Sequence, residues 1–190
     1  MHAPLRSLVP RVLWGTLLYS LLSCAQAAGL PDAYAAIVVT PAVIAAPNTA
    51  PNGPPRVEFD LGPALARARQ EKKSLYVYLG ASDCPYCRKY EAFLAANAKE
   101  LVPHFARRYL MVDLRSALSV GSASLYIKAG GRSLPYAEFQ SSIGDERARL
   151  LVYPSVWLLD ADLKPLMQMP AGTGTFQTVP EQLEILDLVQ

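Results

Sequence analysis

Cys84 and Cys87 are the residues of this sequence best placed to do chemistry. They stand in Cys84-Pro85-Tyr86-Cys87, after a short apolar run and before a segment in which Tyr90, Phe93, Leu94 and Ala98 fall on one helical face. Pro85 suits the first position of that helix, because its missing N–H would have had no partner there and its φ is already helical. One sulfur is therefore expected at the exposed helix N-terminus and the second one turn beneath it. The helix N-terminus offers N–H groups and partial positive charge to a thiolate, the species that attacks a disulfide. Thiol–disulfide exchange is the chemistry that this spacing suggests.

Competing uses of the two thiols lack partners. A c-type haem site needs His directly after the second cysteine, and Arg88 stands there. Metal binding needs further ligands, and a cysteine hydrolase needs a histidine beside its nucleophile. His104 is the single histidine downstream of residue 57. It reads as a surface or helix-end residue, and no metal or cofactor is expected. Asp83, Arg88 and Lys89 flank the cysteines with opposing charges and read as solvated. Tyr86 is placed to flank the sulfurs and shape access to them.

The elements that position the pair follow from pattern. Leu75 to Leu79 has the length and composition of a core strand, broken by Gly80-Ala81-Ser82-Asp83 before Cys84. Upstream, Val57 to Leu61 suggests a short strand and Pro63 to Lys73 an amphipathic helix, whose Arg67, Arg69, Lys72 and Lys73 read as its solvated face. Downstream, a helix end or turn around Pro103 leads to a strand at Tyr109 to Leu114. Residues 116–132 are small and polar, and Leu125, Ile127 and Gly130-Gly131 allow a hairpin; as an insertion they read as a longer loop in preference to a partner-specific surface, since lengthening a loop costs little entropy. Leu134 to Leu151 looks helical. Pro154 then stands at the mouth of a Ser155-Val156-Trp157-Leu158-Leu159 strand, where it can start that strand or sit in a cis turn. Pro165 to Met169 reads as a returning strand, Gly172 and Gly174 as a bend, and Glu181 to Val189 as a last helix. The order is βα, βαβα, ββα.

Residues 1–28 read as a secretory signal: Arg6 and Arg11 precede an apolar stretch from Val12 to Leu22, and Ala25-Gln26-Ala27 offers a cleavage site. Leu21-Leu22-Ser23-Cys24 also resembles a lipobox, which would tether the protein through a lipidated Cys24. Either route gives an exported, periplasmic protein, and an uncleaved anchor would also leave the domain outside the cytoplasm. Residues 29–56 carry prolines at 31, 41, 47, 51, 54 and 55 and read as a linker, although so apolar a stretch can also wrap onto the domain. Residues 57–190 form the expected domain. The formal charge of +2 includes Arg6 and Arg11, so the processed chain is neutral, with no support for nucleic-acid binding. No dimerisation segment is evident, and a monomer is expected.

The cysteine motif at the first helix of a βαβ unit, together with Pro154 before a later β-hairpin, resembles the thioredoxin-like superfamily. Pro85-Tyr86 is similar to the glutaredoxin-type active site, while the whole line resembles exported, periplasmic members. The resemblance implies an α/β fold with a mixed central sheet flanked by helices, and here an extended insertion before the cis-proline segment. It implies that Cys84 attacks, that Cys87 resolves, and that the two form a reversible disulfide. Pro154 would be the cis-proline, Tyr153 would pair through its backbone with a bound substrate strand, and Pro85 and Tyr86 would face the substrate. The partners implied are protein thiols and disulfides and a periplasmic or membrane-linked redox protein. At the core-strand position where such proteins keep a buried Asp, this chain has Tyr78. A second reading is a binding or assembly module on the same fold with a mainly structural disulfide.

Overall fold

The computed structural model of the chain describes residues 29–46, 56–145, 150–167 and 176–188. The expected signal, Cys24 and the Gly172–Gly174 bend lie outside them.

The run after Lys73 forms β4 (Ser74–Ala81), and it is buried on both faces. Its neighbours are β5 (Tyr109–Ser116), parallel to it, and β8 (Ser155–Leu159), antiparallel to it. β9 (Pro165–Met167) pairs with β8 at one edge. Alternation along β4 divides the core in two. Leu75, Val77 and Leu79 point to one side, where they meet α1 (Gly62–Glu71) and α4 (Tyr136–Ser142). Tyr76 and Tyr78 point to the other, against α2 (Pro85–Ala96), α3 (Ala98–Arg108) and α5 (Val179–Leu188). These layers are the expected mixed α/β arrangement, with helices flanking a mixed sheet.

The far edge of this sheet comes from an unexpected place. The strand expected at Val57 exists as β3 (Arg56–Asp60), but it does not join β4 and β5. The edge beside β5 is instead β1 (Val38–Val39), from the segment read as a linker. That reading is corrected for residues 29–46. A 3-10 turn at Asp32–Tyr34 buries the Tyr34 ring completely, edge-on to Phe105 at 5.7 Å, and the Tyr34 hydroxyl donates to the Leu94 carbonyl at 3.1 Å. Arg67, expected on a solvated face, donates to the carbonyls of Ala36 at 2.7 Å and Val38 at 3.4 Å. Apolar side chains and satisfied carbonyls together make this segment part of the domain.

β3 belongs to a second sheet, in which β2 (Val43–Ala46) lies antiparallel to it and β6 (Leu125–Ala129) parallel. β7 (Arg132–Pro135) closes a hairpin with β6 through Gly130 and Gly131, both at positive φ as this turn requires. The expected hairpin around Gly130-Gly131 is therefore present, and a loop to about Ser124 precedes it. Phe59, Leu125 and Ile127 pack the second sheet onto the α1 side of the core.

If the segment before β1 is part of the fold, Tyr34→Ala should destabilise the protein by about 3 kcal/mol or more, the cost of removing a buried aromatic ring. Urea unfolding measures this. A change within about 0.5 kcal/mol, as for a surface site, would return the segment to the status of a linker.

Candidate active site

Cys84 and Cys87 sit where β4 hands over to α2. Ala81 ends the strand, and the Cys84 N–H donates to its carbonyl at 3.1 Å, turning the chain into the helix. Cys84 has extended backbone angles and is the N-cap of α2, with Pro85 in the first turn. Its sulfur accepts the Cys87 backbone N–H at 3.1 Å, as a capping side chain should. The sulfur thus takes the acceptor position at the head of α2. The Cys87 sulfur lies deeper and accepts the Ala81 N–H at 3.4 Å. Both cysteines are free thiols in this structure.

The second motif meets the first in space. The Tyr153–Pro154 peptide bond is cis, and the Tyr153 carbonyl lies 3.8 Å from the Cys84 sulfur. Tyr153 also packs against the small cluster of Ala81, Cys84 and Cys87. Tyr86 projects outward at 72% exposure. All six residues singled out in the sequence, Cys84, Pro85, Tyr86, Cys87, Tyr153 and Pro154, therefore belong to the two segments that meet at the strand–helix junction. Cys84 itself is 1% exposed, less open than a helix N-terminus suggests, in a small cluster with Ala81 and Cys87 against which Tyr153 packs.

A polar network under Cys87 was not visible in the sequence. Tyr78, buried on the α2 side of β4, donates to a Glu91 carboxylate oxygen at 2.9 Å and reaches the Cys87 carbonyl at 3.5 Å. Arg115 donates to the same Glu91 oxygen at 2.6 Å and to Asp113 at 2.9 Å. Burial is the main cause that pushes the Asp113 carboxyl up, against the pull of Arg115. Tyr78 occupies the position where an Asp was missed, and its hydroxyl leads to a carboxylate brought in from α2. One signal could have found Glu91: it lies four residues after Cys87, hence on the same side of the helix, within a face otherwise made of Tyr90 and Leu94. Glu91 and Asp113 also line a cleft of about 470 Å³ shared with Leu30, Pro31 and Arg88.

The charges beside the motif have defined partners. Asp83 accepts the Leu118 N–H at 2.8 Å, and Arg88 donates to the Ser82 carbonyl at 3.0 Å. Both brace the loop that carries Cys84. His104 lies in α3. Among the described residues, no three His, Cys, Asp or Glu side chains come together as a metal site.

A CxxC pair capping the helix of a βαβ unit and faced by a cis-proline is the arrangement of a thioredoxin-like fold. A thioredoxin-like family model matches residues 57–161, more than half of the sequence, and the chain belongs to that family. None of the curated proteins matches it.

The thiols differ in their surroundings. Burial first, and then the hydrogen bond shared with Cys84, hold the Cys87 thiol well above the usual cysteine range, so it stays protonated at neutral and mildly alkaline pH. Iodoacetamide, which reacts with thiolates, should label the native reduced protein once, on Cys84, at pH 7 to about 9. Both cysteines should be labelled in denaturant. Peptide mass mapping reads this directly, and labelling of Cys87 in the native protein would contradict the assignment.

Proposed function

We propose that the protein is an exported thiol–disulfide oxidoreductase that acts on protein disulfides through the Cys84/Cys87 couple. The observation that carries this reading is the Cys84 sulfur, capped by the Cys87 N–H and facing the carbonyl of Tyr153 across a cis-proline. The Cys84 thiolate attacks one sulfur of a substrate disulfide, forming a mixed disulfide and releasing the other substrate sulfur as a thiolate. Cys87 then gives up its proton to Glu91 by way of the Tyr78 hydroxyl, which donates to that carboxylate. Its thiolate attacks the Cys84 sulfur, releasing the second substrate thiol and leaving the Cys84–Cys87 disulfide. Run backwards, the same steps oxidise a substrate dithiol. Tyr153 offers its backbone to the bound strand, with Pro85 and Tyr86 alongside.

Export is part of the proposal and rests on the signal-like residues 1–28, with cleavage near Ala27 or lipidation at Cys24 as its two forms. Protein thiols in an oxidising compartment are then the substrates, and a periplasmic or membrane-linked redox protein resets the couple. The burial of Cys84 is the one observation that favours the second reading, a binding module whose disulfide is structural.

The two readings part on single-cysteine variants. Cys84→Ser should abolish disulfide exchange with a reducible protein such as insulin. Cys87→Ser should accumulate a covalent adduct between Cys84 and the substrate, seen as an added mass that dithiothreitol removes. Turnover by Cys84→Ser at the wild-type rate would end the oxidoreductase reading.

A further inference from the structure

The hydroxyl of Tyr153 is fastened to a part of the chain that the redox chemistry leaves unexplained. It lies 3.1 Å from the Ser116 hydroxyl and 3.2 Å from the Val120 carbonyl. Ser116 is the last residue of β5, and Val120 lies in the loop that leads from it to the β6–β7 hairpin. The same short stretch is tied to the other flank of the nucleophile as well. The Ser82 N–H donates to the Ser116 carbonyl at 2.9 Å, and the Leu118 N–H donates to Asp83 at 2.8 Å. Residues 116–120 thus bridge the loop before Cys84 and the side chain beyond it. The outcome is a nucleophile only 1% exposed at the end of a helix whose next residue but one, Tyr86, is 72% exposed.

We propose that the Tyr153 side chain is a gate over the Cys84 sulfur, and that Ser116 and Val120 form its latch. The proposal deepens the oxidoreductase reading, on which its biological meaning rests, by assigning how a disulfide is admitted. An incoming sulfur has to line up with the Cys84 sulfur, and the Tyr153 side chain, packed on the cluster that holds that sulfur, has to leave first. Leaving breaks the hydroxyl's ties to Ser116 and Val120 and exposes the ring. Ser116 is a positioning residue in this scheme: it touches no reacting atom and acts by holding Tyr153. Leu118 beside the latch, at 49% exposure, and the exposed Tyr86 of the cysteine motif offer the displaced ring apolar surface to share with the segment that enters.

Alkylation of the reduced protein tests the gate without using a disulfide. The second-order rate of iodoacetamide with Cys84 is followed against pH for the wild type, Tyr153→Phe, Ser116→Ala and Tyr153→Ala. Access and ionisation separate in this profile, because access sets the high-pH plateau and ionisation sets the midpoint. Tyr153→Phe keeps the ring and loses the latch, and should raise the plateau about fivefold, the population change that one hydrogen bond of ordinary strength controls. Ser116→Ala should raise it less, and Tyr153→Ala most. A Tyr153→Phe plateau within a factor of two of wild type would overturn the gate. So would a gain produced entirely by a shifted midpoint. A protein that passes this test and exchanges no disulfide would keep the gate and lose the oxidoreductase reading; the opposite pair of results would do the reverse.

Discussion

A thiol at a helix N-terminus is useful only if the helix cannot move, and here α2 is held through β4. Seven consecutive residues of that strand, Leu75 to Ala81, are buried, with Leu75, Val77 and Leu79 in one core and Tyr76 and Tyr78 in the other. A shift of register by one residue would exchange the two sets and put tyrosine hydroxyls among aliphatic side chains. The strand therefore ends at one place, and Cys84 begins the helix at one place. On the α2 side the tyrosines fix the helix laterally. Tyr76 and Tyr90 share a 2.7 Å hydrogen bond, and Tyr90 lies 2.6 Å from Gln182 of α5.

The burial that holds the helix also creates a problem for the second thiol. Cys87 faces the interior, where its thiolate is disfavoured, and a buried polar group needs a partner. Tyr78 and Glu91 supply polar company there, and Arg115 between Glu91 and Asp113 keeps those carboxylates paired. Breaking such a buried pair is expensive, so the network has a structural role whatever proton it accepts.

The parts legible in the sequence were those written in consecutive residues. An apolar run, a break, a capping cysteine and Pro85 specify β4, the turn and α2 locally, and Pro154 before Ser155 to Leu159 does the same for the second half of the site. What escaped depends on residues far apart in the chain. Val38–Val39 is a strand only because β5 lies beside it, and two residues carry no periodicity of their own. The prolines around it pointed to a linker, and its apolar character showed only that it could wrap onto the domain; Tyr34 and Ile37 are the side chains that bury it there. The contact of Tyr78 with Glu91 spans 13 residues and that of Tyr153 with Ser116 spans 37. Apart from the place of Glu91 one turn after Cys87, neither pairing leaves a mark on local pattern, and composition alone gave no sign that the loop after β5 reaches Tyr153.

The central claim is that Cys84 and Cys87 form a working redox couple, and its reduction potential tests that claim most directly. The purified domain would be equilibrated with glutathione or dithiothreitol buffers and the fraction of disulfide measured by mass after alkylation. A couple that exchanges with protein disulfides should lie between about −120 and −270 mV, the span of the disulfide oxidoreductases. A potential below about −300 mV, as in structural disulfides, would contradict the claim and leave the pair as a staple between a strand end and a helix.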